Sequence, residues 1–309
     1  MIFFFIVISA IIITFVGVLL YYFAIAFVKI NKGNLEDLNH PENEILKPYI
    51  DVVKNGMSYI NTTPYEWVYI KSFDGLRLAA RYYDNNSSNT MILFHGYRSA
   101  AARDFSCAVK MYMEMGFNVL LCDQRAHGKS EGKLITFGVK ESQDVISWVD
   151  FVNNNYSPKG IALGGMSMGA TTVILASALN IAPNVKCVVA DCGFTSPADI
   201  IKIVAKKNFK INADFFLPLF DVCCKIFGKF SILEVSTTQA LKNTKIPVIL
   251  IHGKDDTFVP CEMSQRGFES NPEMAEIVII EGANHGMAFL KDTKTVYFKL
   301  ENFLKKNIL

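Results

Sequence analysis

Apolar and polar positions divide this chain into stretches of different rhythm. From Met1 to Val28, "MIFFFIVISAIIITFVGVLLYYFAIAFV", there is no charged side chain. The run exceeds the ~20 residues that cross a bilayer and predicts a transmembrane helix over 1–28. Tyr21 and Tyr22 then fall where interfacial aromatics sit, with Lys29 and Lys32 beyond them. "AIA" at Ala24–Ala26 mimics a signal-peptide cleavage site, yet a basic n-region is missing and the apolar run is too long. A buried core helix of this length is rare in soluble domains. The reading is a retained single-pass anchor at the cell membrane. Positive-inside logic puts the rest of the chain in the cytoplasm, but two lysines set against Glu36 and Asp37 leave the side open.

Residues 29–63 read as a polar linker with a short helix. In "ENEILKPYIDVVKNG", Ile45, Tyr49 and Val52 keep helical spacing and Gly56 is the expected stop. "EWVYIKSFDGLRLAARYY" alternates on both sides of "FDG" and predicts a hairpin. From Thr90 the pattern becomes strand, helix, strand, helix. The strands are "MILF" (91–94), "FNVLLC" (117–122), "GIALGG" (160–165), "VKCVVA" (185–190), "PVILI" (247–251) and "EIVII" (276–280). Most lack alternation, as strands covered on both faces do. Helices are expected at about 100–115, 138–155, 168–181, 260–270 and 288–306. The expected fold class is therefore α/β, a mostly parallel, doubly wound sheet within a domain at 64–309. One interval, about 196–244, has no convincing strand and is rich in phenylalanine: Phe209, Phe215, Phe216, Phe220, Phe227 and Phe230. It reads as a small helical cap whose aromatics either join the main core or line an apolar substrate pocket.

Composition narrows the function classes. A net charge of +2 over 309 residues excludes the basic footprint of a nucleic-acid binder. The seven cysteines are odd in number and scattered; Cys122, Cys187 and Cys192 read as small buried hydrophobes, not a disulfide framework. No Cys/His spacing suggests a metal site, and no cofactor is expected.

"GMSMG" (Gly165–Gly169) matches G-x-S-x-G. It follows the strand "GIALG" and opens the helix "ATTVILASAL", the strand–turn–helix setting of a nucleophile elbow. Ser167 is the candidate nucleophile, and a serine hydroxyl needs a base. There are five histidines, and only His252 and His285 follow Ser167. The chain order Ser, acid, His selects His285, in "GANHGM" after the last strand. Candidate acids at strand ends are Asp191, Asp255 and Asp256, with Asp191 read rather as a turn or cap before "TSPADI". "HGY" (His95–Tyr97), after the first central strand, fits the loop that gives an oxyanion hole one backbone N–H, from Tyr97. The other comes from Met168, directly after the nucleophile.

"HGY", "DQRAHGKSEG", "GMSMG", "HGKDDTFVP" and "GANHG", in this order, resemble the α/β-hydrolase superfamily over about 65–307. Within it the chain resembles the serine aminopeptidase S33 and monoacylglycerol-lipase-like group, and membrane-anchored hydrolases of the BEM46 and ABHD13 kind. The lipase "HGGG" motif is absent. The resemblance implies an α/β-hydrolase fold. It implies D-x-x-V-P as the acid motif, which selects Asp256 in "DTFVP" and leaves Asp255 to the surface, where Lys254 is a candidate partner. It also implies that Asp123, Arg125, His127 and Ser130 of "DQRAHGKSEG" form a structural turn. The expected function is cleavage of a small-molecule carboxylic ester or related acyl bond through a Ser-His-Asp triad and an acyl-enzyme. The alternatives are an S33-type peptidase or a catalytically silent membrane-anchored binding module. The sequence does not set an oligomeric state.

Overall fold

A computed structural model describes residues 2–29 and 46–309, with part of the side chains of the first fifteen positions left out. Residues 30–45, most of the expected linker and Ile45 of the expected helical stripe, lie outside the described residues. Eight strands form one sheet: β1 Glu66–Lys71, β2 Arg77–Tyr83, β3 Asn89–Phe94, β4 Asn118–Asp123, β5 Gly160–Met166, β6 Val185–Asp191, β7 Val248–Gly253 and β8 Ala275–Ile280, in the order 1-2-4-3-5-6-7-8. The hairpin around "FDG" is β1–β2, antiparallel, and β2 pairs antiparallel with β4. Every later pairing is parallel. The chain adds β4 on one side of β3 and then returns to add β5 on the other. That switch opens a crevice at the carboxyl ends of β3 and β5, where such sheets bind ligands.

The helices are α1 Ile2–Phe27, α2 Ile50–Thr62, α3 Ala101–Asp104, α4 Ala108–Glu114, α5 Glu141–Tyr156, α6 Met168–Ser177, α7 Pro197–Val204, α8 Leu217–Cys223, α9 Thr237–Asn243, α10 Glu262–Ser270, α11 Ala288–Lys291 and α12 Thr293–Asn307. Alternation along each strand assigns side chains to two cores. Met91 and Leu93 of β3 face one core, with Val296, Leu300 and Phe303 of α12. Ile92 and Phe94 face the other, with Trp148 of α5 and Val173 of α6. Every residue of α6 is buried, which is why "ATTVILASAL" shows no polar face.

Three expected boundaries shift. The 100–115 helix is interrupted at Phe105–Cys107, where α2 crosses it. Gly56 does not stop α2 but lies within it; a Cβ there would stand 2.3 Å from the Ser106 carbonyl oxygen, so glycine permits the crossing. The buried face of α2 is Val53, Met57 and Ile60, while Val52 is exposed. At the C-terminus, Asp292 accepts from the Thr295 N–H and starts α12 as a separate helix.

The expected transmembrane span is also corrected. The last turns of α1 pack into the protein: Phe23 and Phe27 are buried, with Phe27 against Phe137 at 5.2 Å and Phe230 at 5.8 Å. The following residues are tied down too, by Lys29 N–H to Lys133 O and Ile135 N–H to Phe27 O. Among the described residues no helix is long and apolar enough to cross a membrane.

The interval 196–244 holds α7, α8 and α9, with π-helical turns at Ala205–Phe209 and Cys224–Gly228, and no strand among the described residues. Its aromatics divide. Phe230 joins α1 in a third core; Phe209, Phe216 and Phe220 line a cavity; Phe215 projects into solvent.

Candidate active site

The turn from β5 into α6 places Ser167 at φ 53°, ψ −112°, a conformation L-residues rarely hold. The two flanking glycines are sterically required. A Cβ on Gly165 would stand 2.2 Å from the Gly169 carbonyl oxygen, and one on Gly169 would stand 1.8 Å from that of Phe94. The Ser167 N–H is held by the Asp191 carbonyl at 2.8 Å. The hydroxyl therefore stands at the switch-point crevice, with His285 Nε2 at 3.0 Å from Ser167 Oγ. His285 Nδ1 donates to Asp256 Oδ2 at 2.6 Å. The structure thus brings together Ser167, His285 and Asp256.

The spacing of "DTFVP" now has a structural reason. Asp256 Oδ1 accepts from the N–H groups of Phe258 and Val259, two and three residues on, both at 2.8 Å. Its Oδ2 accepts from His285 and also from His252 Nε2 at 3.1 Å. Burial alone would raise this carboxyl, but the donated hydrogen bonds of His252 and His285 hold it well below the ordinary carboxylate range. Asp255 is exposed, and only its backbone N–H is engaged, to Ala283 O. Asp191 is no cap: Ser196 accepts from the Asp199 N–H at the start of α7. Instead the Asp191 Oδ1 is buried without a hydrogen-bond partner, and burial pushes this carboxyl up to about 6.

The loop after β3 carries His95, Gly96, Tyr97 and Arg98. The Gly96 N–H donates to Asp104 Oδ2 at 2.8 Å and the Arg98 N–H to His127 Nε2 at 3.1 Å. The Tyr97 N–H lies between these two fixed points. Met168, as the first residue of α6, has no carbonyl within its helix to accept its N–H. Tyr97 lines both cavities that Ser167 lines, and Met168 directly follows Ser167.

"DQRAHGKSEG" is a structural turn. Arg125 is buried, bonded to Asp144 at 2.6 Å and 2.7 Å and to Asp74 at 3.0 Å. Ser130 Oγ donates to Asp123 O, and Gly128 is forced, since a Cβ would stand 2.2 Å from the Asp123 carboxyl. His127 reaches the site only through the Arg98 N–H, and burial keeps it neutral by lowering its pKa.

Two cavities meet at Ser167. One, of about 1070 Å³, is walled chiefly by apolar side chains of α1 and the 196–244 segment, among them Leu19, Ile25, Ile200, Phe216 and Phe220. The other, of about 430 Å³, is lined by Arg98, Ser99, Asp104, Met111 and Phe289 as well as His285. Cys192, Asp256 and His285 are the donors that could most nearly hold a metal ion. Their atoms are already engaged with one another, and burial pushes the Cys192 thiol well up, so no thiolate is available.

Sequence reasoning missed His252, Asp104 and the end of α1. His252 stands four residues before Asp256 in the same quoted motif, its Nδ1 fixed by Ser264 Oγ at 2.6 Å. That i, i+4 placement was its only signal. All seven cysteines are free.

Comparison with known proteins follows this geometry. A family model of X-Pro dipeptidyl-peptidases (S15 family) matches residues 56–209. The solved esterase Pf2001 of Pyrococcus furiosus is 28% identical, with a TM-score of 0.65, covering 80% of this chain and 93% of its own. Est1E from Butyrivibrio proteoclasticus, solved with ferulic acid bound, shares the fold at 22% identity and a TM-score of 0.61, covering 78% of this chain and 99% of its own. Among curated relatives, the uncharacterized protein YqkD of Bacillus subtilis is 27% identical over 221 residues, 71% of this chain and 72% of YqkD. The lysophosphatidylserine lipase ABHD12 of Danio rerio is 22% identical over 255 residues, 79% of this chain and 62% of the lipase. The likeness runs over most of the chain in sequence and in fold alike, and the chain belongs to the α/β-hydrolase superfamily.

Proposed function

We propose that this protein is a serine hydrolase that cleaves carboxylic esters with an apolar acyl group through an acyl-enzyme. The single observation that carries the reading is the hydrogen-bonded series Ser167, His285, Asp256 opening onto a large apolar cavity. Ser167 Oγ attacks the carbonyl carbon as His285 Nε2 takes its proton. The Tyr97 and Met168 N–H groups receive the oxyanion. The intermediate collapses, His285 gives the proton to the departing alcohol, and Ser167 keeps the acyl group. Water, deprotonated by His285, then releases the acid and restores Ser167. Asp256 holds the Nδ1–H tautomer throughout, as its ionised state at neutral pH requires.

The S15 match and the S33 resemblance raise a peptidase reading. An X-Pro peptidase needs free carboxylates for a substrate amine, and the small cavity has Asp104 and Asp191. Asp104 is already committed to the Gly96 N–H and the Ser99 hydroxyl, which leaves Asp191 alone to meet an amine, whereas the larger cavity at Ser167 is walled chiefly by apolar side chains, so the ester reading is the better supported. The test pairs fluorophosphonate labelling with hydrolysis of p-nitrophenyl esters and of X-Pro p-nitroanilides. Labelling at Ser167 with ester turnover is expected. An unlabelled, inactive protein would mean a silent module; faster anilide turnover would mean a peptidase.

A further inference from the structure

The final carbonyls of any helix lack partners within it. At the end of α1 those partners come from the loop after β3, some seventy positions along the chain. Arg98 Nη2 donates to Ile25 O at 2.5 Å and to Val28 O at 3.0 Å, and the Tyr97 hydroxyl donates to Ala26 O at 2.8 Å. A guanidinium suits this place, since its fixed fork of donors meets two carbonyls at the negative end of the helix. The rings continue the link: Phe27 meets Phe137 at 5.2 Å, and Phe137 stacks on Tyr97 at 4.9 Å. Tyr97 is the residue whose N–H is assigned to the oxyanion. Capping α1 and positioning that N–H are therefore one set of contacts seen from its two ends.

The same helix walls the larger cavity. Val7, Thr14, Val18, Leu19, Tyr22 and Ile25 line it together with Ser167. Val7 to Ile25 spans roughly 27 Å along a helix axis. The lining is mostly apolar, so it offers an acyl chain a long surface on which to leave water.

We propose that α1 is a working part of the active site: its last-turn carbonyls position the Tyr97–Arg98 oxyanion loop, and its cavity face measures the acyl chain of the substrate. This rests on the serine-esterase reading and names its substrate class, long-chain acyl esters. Tyr97 and Arg98 are positioning residues through their side chains, while Val18 to Ile25 set specificity.

The test uses the full-length protein and p-nitrophenyl esters from acetate to palmitate. Arg98→Met should lower kcat for acetate 10- to 100-fold with KM changed less than threefold, and Arg98→Lys, which keeps one charged donor, should recover part of the loss. Merely weakened folding would lower the active fraction, read by fluorophosphonate titration, and not turnover per labelled site. Ile25→Trp, in the cavity-lining turn whose carbonyl Arg98 holds, should penalise octanoate and longer esters at least tenfold more than acetate. Val18→Trp, about 10 Å further along the helix, should penalise palmitate alone; being half exposed, this position keeps the test open if Ile25→Trp does not fold. A chain-length profile identical to the parent in a folded variant, with parental turnover in Arg98→Met, would overturn the inference while leaving the esterase reading intact. A parent protein inert to all esters and to the label would instead remove that reading.

Discussion

Two regions face the same serine and are held in opposite ways. On the sheet side, the elbow and the acid loop are set by backbone. Ser167 N–H is bonded, Gly165 and Gly169 admit no Cβ, and Asp256 is gripped by two consecutive N–H groups. On the other side, α1 and the 196–244 segment meet through side chains, among them the rings of Tyr22 on Phe209, Phe23 on Phe227 and Phe27 on Phe230. Hydrogen-bonded backbone holds an atom to a fraction of an ångström. Packed rings hold a surface, which another apolar residue of similar size can replace. On the proposed reading the chemistry lies on the rigid side and the acyl fit on the adaptable one.

Substitutions can break or sharpen this contrast. On the rigid side Ser167→Ala should cost up to ~10⁶ in kcat, measured by ester turnover with the fold intact by circular dichroism. Asp256→Asn should cost ~10⁴ because it removes the partner that sets the His285 tautomer, whereas Asp255→Asn should stay within about twofold. Equal losses would mean that the two carboxylates share the work. Gly169→Ala should cost about 3 kcal/mol or more in denaturant unfolding, since a Cβ must displace the Phe94 carbonyl and no flexible side chain can yield.

His252→Ala should lower kcat roughly tenfold, the scale of one hydrogen bond to a charged group, and should move the acid-side loss of melting temperature to higher pH. The sign follows from Asp256: its carboxyl is held below the ordinary range, so its contribution is present above that range and lost as pH falls through the folded value. Removing a donor moves that loss upward. Asp191 has the opposite sign. With its carboxyl raised to about 6 by burial, the folded state binds the proton more tightly, so stability falls as pH rises from 4 towards 7. Asp191→Asn should flatten that fall in melting temperature. On the adaptable side Phe220→Ala should leave acetate turnover within a few-fold and shift preference among long acyl esters, the smallest of these effects.

Much of the first region was legible before any coordinates. G-x-S-x-G between a strand and a helix, D-x-x-V-P after a strand and a histidine after the last strand are local patterns. Each exists because neighbouring backbone atoms impose it, and so did the parallel strands from Met91 to Ile280. The second region was misread in part. A charge-free run over 1–28 is compatible with lipid or with protein, and periodicity cannot tell them apart when every position is apolar. Gly56 read as a stop because a glycine needed for a close crossing and one needed for a cap look the same.

The sequence by itself determined the strands, the G-x-S-x-G turn and the loop that closes on Asp256, because those follow from contacts a few residues apart, while the choice of Asp256 over Asp255 came with the family resemblance. Only the tertiary structure decided that His252 joins Asp256, that Asp104 and His127 fix the oxyanion loop, and that the end of α1 is capped by Tyr97 and Arg98. Those contacts join groups by packing and by satisfying buried donors and acceptors. Neither requirement leaves a periodic mark in the chain that would show which distant residue answers it.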